Sequence, residues 1–152
     1  VESCSMYHQG NLLSNFDNWW EDALSKYSKF NINKEQFSDF IFKKGFNKGD
    51  ILFIVKAKPE KLEVGDVIIF NGGTGTPIIH RIIKIKKENN EYVFSTIGDN
   101  LQTNNDQLAF EKEINENQIV GRSVFKLAPY IGWVKLIFFE GGKSPSDRGF
   151  CD

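Results

Sequence analysis

The strongest constraint on the fold is a series of short apolar runs, rich in β-branched residues and separated by turn residues, in the second and third quarters of the chain. The runs cover residues 51–56, 67–70, 77–86 and 91–97. A Gly-Asp pair that fits a tight turn precedes each of the first two runs. The last two are separated by the turn-like residues 88–90, which predicts a β-hairpin. This part of the chain is therefore predicted to be β structure.

The polar stretch 98–117 is predicted to be a long loop. Residues 118–126 and 130–139 are predicted to be two more strands, or one strand and an apolar tail. We expect residues 1–8 to be a short strand or an extended entry, and residues 141–152 to be a poorly ordered tail.

Two helical segments precede the β region. Apolar side chains recur at three- and four-residue intervals from Phe16 to Tyr27, which predicts an amphipathic helix over residues 16–30. A second helix is predicted over residues 33–44, with Asn33 as its cap and Gly45 as its stop. Together they form a helical insert at about residues 9–45. Its aromatic side chains either complete the core as a lid or form a surface that docks on a membrane or shapes the substrate site.

Length and composition restrict the class of protein. The 152 residues suffice for one domain, and 19 basic against 20 acidic side chains give no electrostatic footprint for nucleic acid. Two cysteines cannot supply a zinc ribbon, and we expect neither a metal ion nor a cofactor. The printed sequence has no apolar run long enough to cross a bilayer. It begins at Val1 rather than at methionine, so we expect that an upstream part has been removed.

A few residues near the start and in the β region could carry nucleophilic chemistry. A serine hydroxyl such as that of Ser5 needs a neighbouring base, and His8 and His80 are the two histidines of the chain. His80 lies among isoleucines, where it is either a core histidine satisfied by a backbone carbonyl or a general base. Asp99 and Asp106 follow the predicted hairpin and could orient its ring. Spacing alone leaves these alternatives open, because chance easily supplies Ser, His and Asp in one chain.

An ordered series of motifs resembles a known family. It comprises Ser-x-Ser-Met-Tyr at residues 3–7, Gly-Asp-Val-Ile at 65–68, Ile-His-Arg-Ile at 79–82, Gly-Asp-Asn at 98–100, Ile-Val-Gly-Arg at 119–122 and Pro-Tyr-Ile-Gly at 129–132. In this order the motifs resemble type I signal peptidases of the archaeal and endoplasmic-reticulum kind. The resemblance spans most of the chain up to residue 132, with the helical insert outside the common pattern.

The resemblance implies a fold and a set of site residues. The fold would be mainly β with a helical insert (α+β), a signal-peptidase-like barrel or sandwich forming a catalytic domain over residues 1–140. Ser5 would be the nucleophile, and His80 the general base where bacterial relatives use a lysine. Asp106 would orient His80; because its spacing is one residue longer than usual, Asp99 remains a second, supporting acid. Ser3 would stabilise the oxyanion together with the backbone N–H of Ser5.

Three neighbours of the expected nucleophile need separate comment. Met6 is expected to contribute to the oxyanion or substrate-binding region. His8 stands where the family commonly has a proline, and it places a second imidazole near Ser5. Cys4 occupies a position often held by glycine; alternation along the chain directs its side chain away from Ser3 and Ser5, so we expect it to pack. Sequence separation does not decide whether it pairs with Cys151.

The resemblance also implies substrates and a location. The enzyme would cleave the signal peptides of secretory preproteins, binding them as an added strand with shallow pockets for small side chains. A transmembrane anchor before Val1 would hold the catalytic domain on the extracytoplasmic side, at an archaeal cell membrane or in the endoplasmic-reticulum lumen. Two alternatives remain: a related Ser-Lys self-cleaving peptidase, and a non-catalytic β-rich adaptor that binds extended peptides.

Overall fold

The computed structural model describes residues 1–9, 16–128 and 151. Its strands are β1 (Ile51–Val55), β2 (Val67–Phe70), β3 (Ile78–Glu88), β4 (Glu91–Ile97), β5 (Ile114–Asn115) and β6 (Ile119–Ala128). They form one six-stranded sheet in the order β1-β6-β2-β3-β4-β5, with antiparallel neighbours throughout. The prediction of a mainly β fold with a helical insert is confirmed.

The predicted hairpin is formed by β3 and β4. Glu88 pairs with Glu91, and the two residues between them, Asn89 and Asn90, have φ values of 49° and 69°. A two-residue turn with both central residues in the left-handed region matches the twist of the flanking strands, and asparagine tolerates this backbone better than most residues. The sequence of the turn therefore sets the register that places His80 on β3.

The polar stretch 98–117 is more structured than predicted. It contains the strand β5 and short 3-10 helices at Ala109–Glu111 and Glu116–Gln118. The side chains of Glu111 and Gln118 accept hydrogen bonds from the backbone N–H groups of Leu108 and Asn115, local contacts that apolar periodicity does not reveal. The predicted strand at 118–126 is confirmed as β6, whereas the segment 130–139 and the tail apart from Cys151 lie outside the described residues.

The insert contains the helices α1 (Phe16–Ser28) and α2 (Lys34–Asp39). The predicted cap of α2 is confirmed: the side chain of Asn33 accepts a hydrogen bond from the backbone N–H of Gln36, and the Gln36 side chain accepts from the N–H of Asn33. The helix is shorter than predicted because Phe40 has an extended backbone with ψ of 146°. Its six residues present a single buried side chain, that of Phe37.

The aromatic side chains of the insert belong to the protein core. They pack with Ile83 and Ile97 of the sheet in a cluster that contains Trp19, Trp20, Ala23, Tyr27, Ile32 and Phe37. Trp19 and Trp20 are 4% and 3% exposed, so these rings are not available to a membrane surface. The lid interpretation of the insert is the one that the structure supports. In the described ranges, no helix is both long enough and apolar enough to span a membrane.

A second cluster lies on the other face of the sheet. It contains Leu62, Ile68, Phe70, Ile82, Phe94 and Ile114. Because successive side chains of a strand point to opposite faces, β3 directs Arg81 and Ile83 towards the insert, and His80 and Ile82 towards this second cluster. The two neighbouring residues His80 and Arg81 therefore serve different environments.

Candidate active site

Ser5 and His80 line the same cleft, which has a volume of about 840 Å³. Ser3 and Asn104 also lie on its surface. Apolar side chains form much of the remaining wall: Leu52, Ile54, Ile69, Ile78, Ile79, Leu108 and Phe110. Such a concave, largely apolar surface with a few polar groups is typical of a binding site. The expected nucleophile, the expected base and the expected oxyanion donor therefore line one cleft.

The segment that carries Ser5 is a turn rather than a strand. The N–H of Tyr7 donates to the carbonyl of Cys4 at 3.0 Å, which closes the turn around Ser5. The hydroxyl oxygens of Ser3 and Ser5 are 3.3 Å apart. The two hydroxyls can therefore act on the same small region of the cleft.

Met6 is placed in the core and not on the cleft wall. It is 1% exposed and packs with Phe46 and Val67. Its carbonyl accepts a hydrogen bond from the N–H of Phe46 at 3.1 Å. The residue after Ser5 therefore fixes this segment to the protein interior, and a contribution of Met6 to substrate binding stays a prediction.

The Gly-Asp-Asn motif holds the nucleophile segment by its backbone. The N–H of Asn100 donates to the carbonyl of Ser5, and its Nδ2 donates to the carbonyl of Cys4, each at 2.9 Å. Gly98 approaches so closely that a Cβ atom there would lie 2.7 Å from the Ser5 carbonyl oxygen. The absence of a side chain at residue 98 therefore permits the approach of the two segments.

His80 is paired with a carboxylate that the sequence analysis did not single out. Its Nδ1 contacts Oε1 of Glu111, and the two side chains are 5% and 0% exposed. The other carboxylate oxygen, Oε2, accepts a hydrogen bond from the N–H of Leu108 at 2.7 Å. A buried carboxylate is stable when its oxygens are hydrogen-bonded in this way. In the sequence, the feature that could have drawn attention to Glu111 is its place as a charged residue directly after the apolar residues 108–110.

Asp99 lies at the centre of a different network, beneath the insert. Oδ2 accepts from Nη2 of Arg81 at 2.7 Å and contacts Nε2 of His8 at 2.9 Å, while Oδ1 accepts from the hydroxyl of Tyr27 at 2.8 Å. Burial would raise the pKa of Asp99, but the charge of Arg81 and the hydrogen bonds from His8 and Arg81 outweigh it and hold that pKa well below its ordinary value. Asp99 therefore remains ionised and joins the insert to β3.

Asp106 lies at the surface. Its Oδ1 accepts from Nζ of Lys29 at 3.0 Å, and the two side chains are 82% and 56% exposed. Neither Asp106 nor Asp99, the acids expected to orient His80, contacts its ring; that position is occupied by Glu111. The family pattern predicts an aspartate near the Gly-Asp-Asn motif, whereas the short helix Ala109–Glu111 brings a glutamate into contact with His80.

His8 belongs to the buried network and not to the cleft wall. Its ring stacks on that of Trp19, with centroids 3.5 Å apart and planes 3° from parallel. Burial lowers the pKa of His8 below 6.5, and the hydrogen bond and charge of Asp99 only partly offset this effect. His8 is therefore engaged with Asp99 and is less suited than His80 to act on Ser5.

Lys26 of α1 supports the Gly-Asp-Asn motif from the side of the insert. Its Nζ donates to the carbonyl of Gly98 at 2.5 Å and to that of Asn100 at 3.5 Å. Burial lowers its pKa to about 8, although the charge of Asp99 opposes the shift. The insert thus contacts the same loop that holds the backbone of Ser5.

Cys4 forms a disulfide with Cys151, with their Cα atoms 5.6 Å apart. Cys4, which we expected only to pack, is therefore held by a covalent bond, and the sulfur beside Ser5 is not a free thiol. Within the part of the chain that the structure describes, no group of three or more His, Cys, Asp or Glu side chains is arranged to hold a metal ion.

Comparison with known proteins supports the resemblance seen in the motifs. No protein-family model matches the chain. It is 33% identical over 96 residues to the signal peptidase complex catalytic subunit SEC11C of human and of dog, covering 60% of this chain and 50% of theirs. It is 29% identical over 98 residues to the signal peptidase complex catalytic subunit SEC11 of Candida tropicalis, covering 62% and 58%. The chain spans about half the length of the curated relatives it matches.

Proposed function

We propose that this chain is the catalytic part of a serine endopeptidase that removes signal peptides from exported proteins. The observation that carries the proposal is that Ser5 and His80 line one cleft, in a chain similar to proteins named as signal peptidase catalytic subunits. Similarity in sequence supports the proposed reaction class, and the shared cleft supports the choice of Ser5 and His80 as the residues that perform it.

Ser5 acts as the nucleophile and His80 as the general base. His80 accepts the hydroxyl proton of Ser5 as its oxygen attacks the scissile carbonyl, and returns that proton to the leaving amine. Water then releases the acyl group from Ser5, with His80 again accepting and returning a proton. The Ser3 hydroxyl and the Ser5 N–H stabilise the oxyanion; one such donor lowers the activation barrier by about 3 kcal/mol.

The substrate is an extended peptide. Leu52 and Ile54 of β1 line the cleft together with Ser5, and among the described strands β1 stands at one end of the order. An extended segment can add along such a strand through main-chain hydrogen bonds. The apolar wall suits small side chains at the first and third residues before the cut, which is the pattern of signal-peptide cleavage sites.

The Cys4–Cys151 disulfide supports a location outside the reducing cytoplasm. Disulfides persist in oxidising compartments such as the endoplasmic-reticulum lumen or the outer side of a cell membrane. Action at the extracytoplasmic face of a membrane, in either compartment, fits this bond. The same location fits a substrate that has just been exported.

One alternative, a Ser-Lys self-cleaving peptidase, is disfavoured by the cleft. Among the described residues that line it, the basic side chain is that of His80 and none is a lysine. The other alternative, a non-catalytic adaptor, requires the same peptide-binding cleft but no bond cleavage. Cleavage assays separate it from the proposed function.

The test uses two peptides that carry the same apolar segment. One has alanine at the first and third positions before the expected cut, and the other has tyrosine at both. We expect one cut, directly after the first-position alanine, and at least roughly tenfold slower cleavage of the tyrosine peptide. Mass spectrometry of the products locates the bond. Binding without cleavage would favour the adaptor, and equal cleavage of both peptides would contradict the proposed specificity.

A further inference from the structure

We propose that Glu111 is the positioning residue for His80, and that it takes the place that the resemblance assigns to an aspartate. The proposal rests on the proposed function, since it assigns a role within that catalytic site. It starts from the buried contact between Oε1 of Glu111 and Nδ1 of His80, a residue that lines the cleft.

The hydrogen bonds of Glu111 determine which nitrogen of His80 carries the proton. An ionised carboxylate only accepts hydrogen bonds, so Nδ1 of His80 must be the donor. The second carboxylate oxygen is already used by the N–H of Leu108. In the described part of the chain, Nε2 of His80 makes no hydrogen bond. The neutral ring is therefore held with an unprotonated Nε2, the form that can accept the Ser5 proton.

The other two acids are committed elsewhere. Asp99 is hydrogen-bonded to Arg81, Tyr27 and His8 on the insert side of the sheet. Asp106 is an exposed residue paired with Lys29 at the surface. Glu111, by contrast, lies against the face of the sheet to which His80 points and contacts its ring.

Glu111→Gln is the informative substitution because it keeps the shape of the side chain. The amide oxygen can still accept from Leu108, which leaves the amide NH₂ directed at Nδ1 of His80. An amide that donates to Nδ1 moves the ring proton to Nε2, so the base can no longer accept from Ser5. We expect kcat/KM for peptide cleavage to fall by roughly 10²–10⁴-fold with little change in KM.

Asp106→Asn is the matched control, since it removes an acid from the same loop region without touching His80. We expect its kcat/KM to stay within about threefold of the starting protein, as for an exposed ion pair. A Glu111→Gln variant that retains kcat/KM within the same range would overturn the proposal. A larger loss in Asp106→Asn than in Glu111→Gln would also overturn it.

A spectroscopic measurement on the unsubstituted 152-residue chain needs neither the Glu111→Gln variant nor peptidase activity. The ¹⁵N shifts of the imidazole nitrogens report the tautomer, and His8→Gln identifies which of the two histidine signals is that of His80. We expect the neutral His80 ring to carry its proton on Nδ1. A proton on Nε2 would overturn the assignment of Glu111. A chain with the Nδ1 tautomer but no cleavage of any peptide would contradict the proposed function and leave the orientation by Glu111 supported.

Discussion

Nδ1 of His80, which lines the same cleft as Ser5, contacts the buried carboxylate of Glu111. The two residues are 31 positions apart in the sequence, one on strand β3 and the other on the short helix Ala109–Glu111. One ring nitrogen is thus fixed by an acid, in a residue that also lines the cleft. This arrangement gives a histidine a defined tautomer and a defined direction, as general base catalysis requires.

The position of the Ser5 backbone should depend on the hydrogen bond that the Asn100 side chain donates to the neighbouring Cys4 carbonyl. Asn100→Asp keeps the oxygen that accepts from Gln102 but replaces the donor that holds the Cys4 carbonyl with a second acceptor. Loss of this hydrogen bond beside the nucleophile should lower kcat by roughly tenfold to a hundredfold, corresponding to about 1–3 kcal/mol. Peptide cleavage under saturating substrate measures the change.

Asn105→Asp provides the control for that substitution. Asn105 is exposed on the same loop, so the variant introduces the same charge without altering a contact to the nucleophile segment. It should retain kcat within about threefold. Equal effects of the two substitutions would show that added charge, and not the contact to Cys4, determines the rate.

His8 should make the folded protein sensitive to mild acid. The pKa of His8 in the folded protein is lowered below 6.5, its ordinary value. Between that lowered pKa and pH 6.5, the unfolded chain therefore binds a proton that the native protein does not. The free energy of unfolding contributed by His8 is therefore fully present above pH 6.5 and is lost as the pH falls below it. His8→Gln removes this titration.

Urea unfolding at about pH 7 and about pH 5 measures the effect. The starting protein should lose more unfolding free energy over this interval than His8→Gln does. The acids of the chain contribute to both proteins and cancel in the comparison. Parallel pH dependences would contradict the burial of a neutral His8 against Asp99.

The disulfide should stabilise the fold by joining the two ends of the described chain. It closes a loop with a sequence separation of 147 residues, which restricts the unfolded chain. Cys151→Ser should lower the free energy of unfolding by about 2–5 kcal/mol. A reducing agent should lower the stability of the starting protein in the same way and leave that of Cys151→Ser unchanged. A reductant effect of equal size on both would show that the bond does not form.

The sequence predicted those features that are written in local patterns. Apolar periodicity or turn chemistry accounts for strands β1 to β4 and β6, the hairpin over Asn89 and Asn90, the first helix and the cap at Asn33. The length of α2 was overestimated, because the aromatic residues after Asp39 continue an apolar pattern while the backbone turns extended at Phe40. Tertiary packing, and not helical periodicity, uses those side chains.

The pairing of acids and bases could not be obtained from spacing. Asp99 and Asp106 both follow the hairpin, but the first is drawn to Arg81 under the insert and the second remains at the surface. Glu111 reaches His80 through a three-residue helix within a stretch that reads as a polar loop. Which carboxylate meets a buried ring depends on the path of such a loop, which has no periodic signal.

The central claim, that Ser5 is the nucleophile of a peptidase, is tested most directly by kcat/KM for the alanine-containing signal peptide in two serine variants. Ser5→Ala removes the proposed nucleophile, whereas Ser25→Ala removes an exposed hydroxyl from α1 and leaves the cleft unchanged. We predict a loss of at least roughly 10⁴-fold for Ser5→Ala and a value within about threefold of the starting protein for Ser25→Ala. Cleavage by Ser5→Ala at the rate of the starting protein would contradict the account.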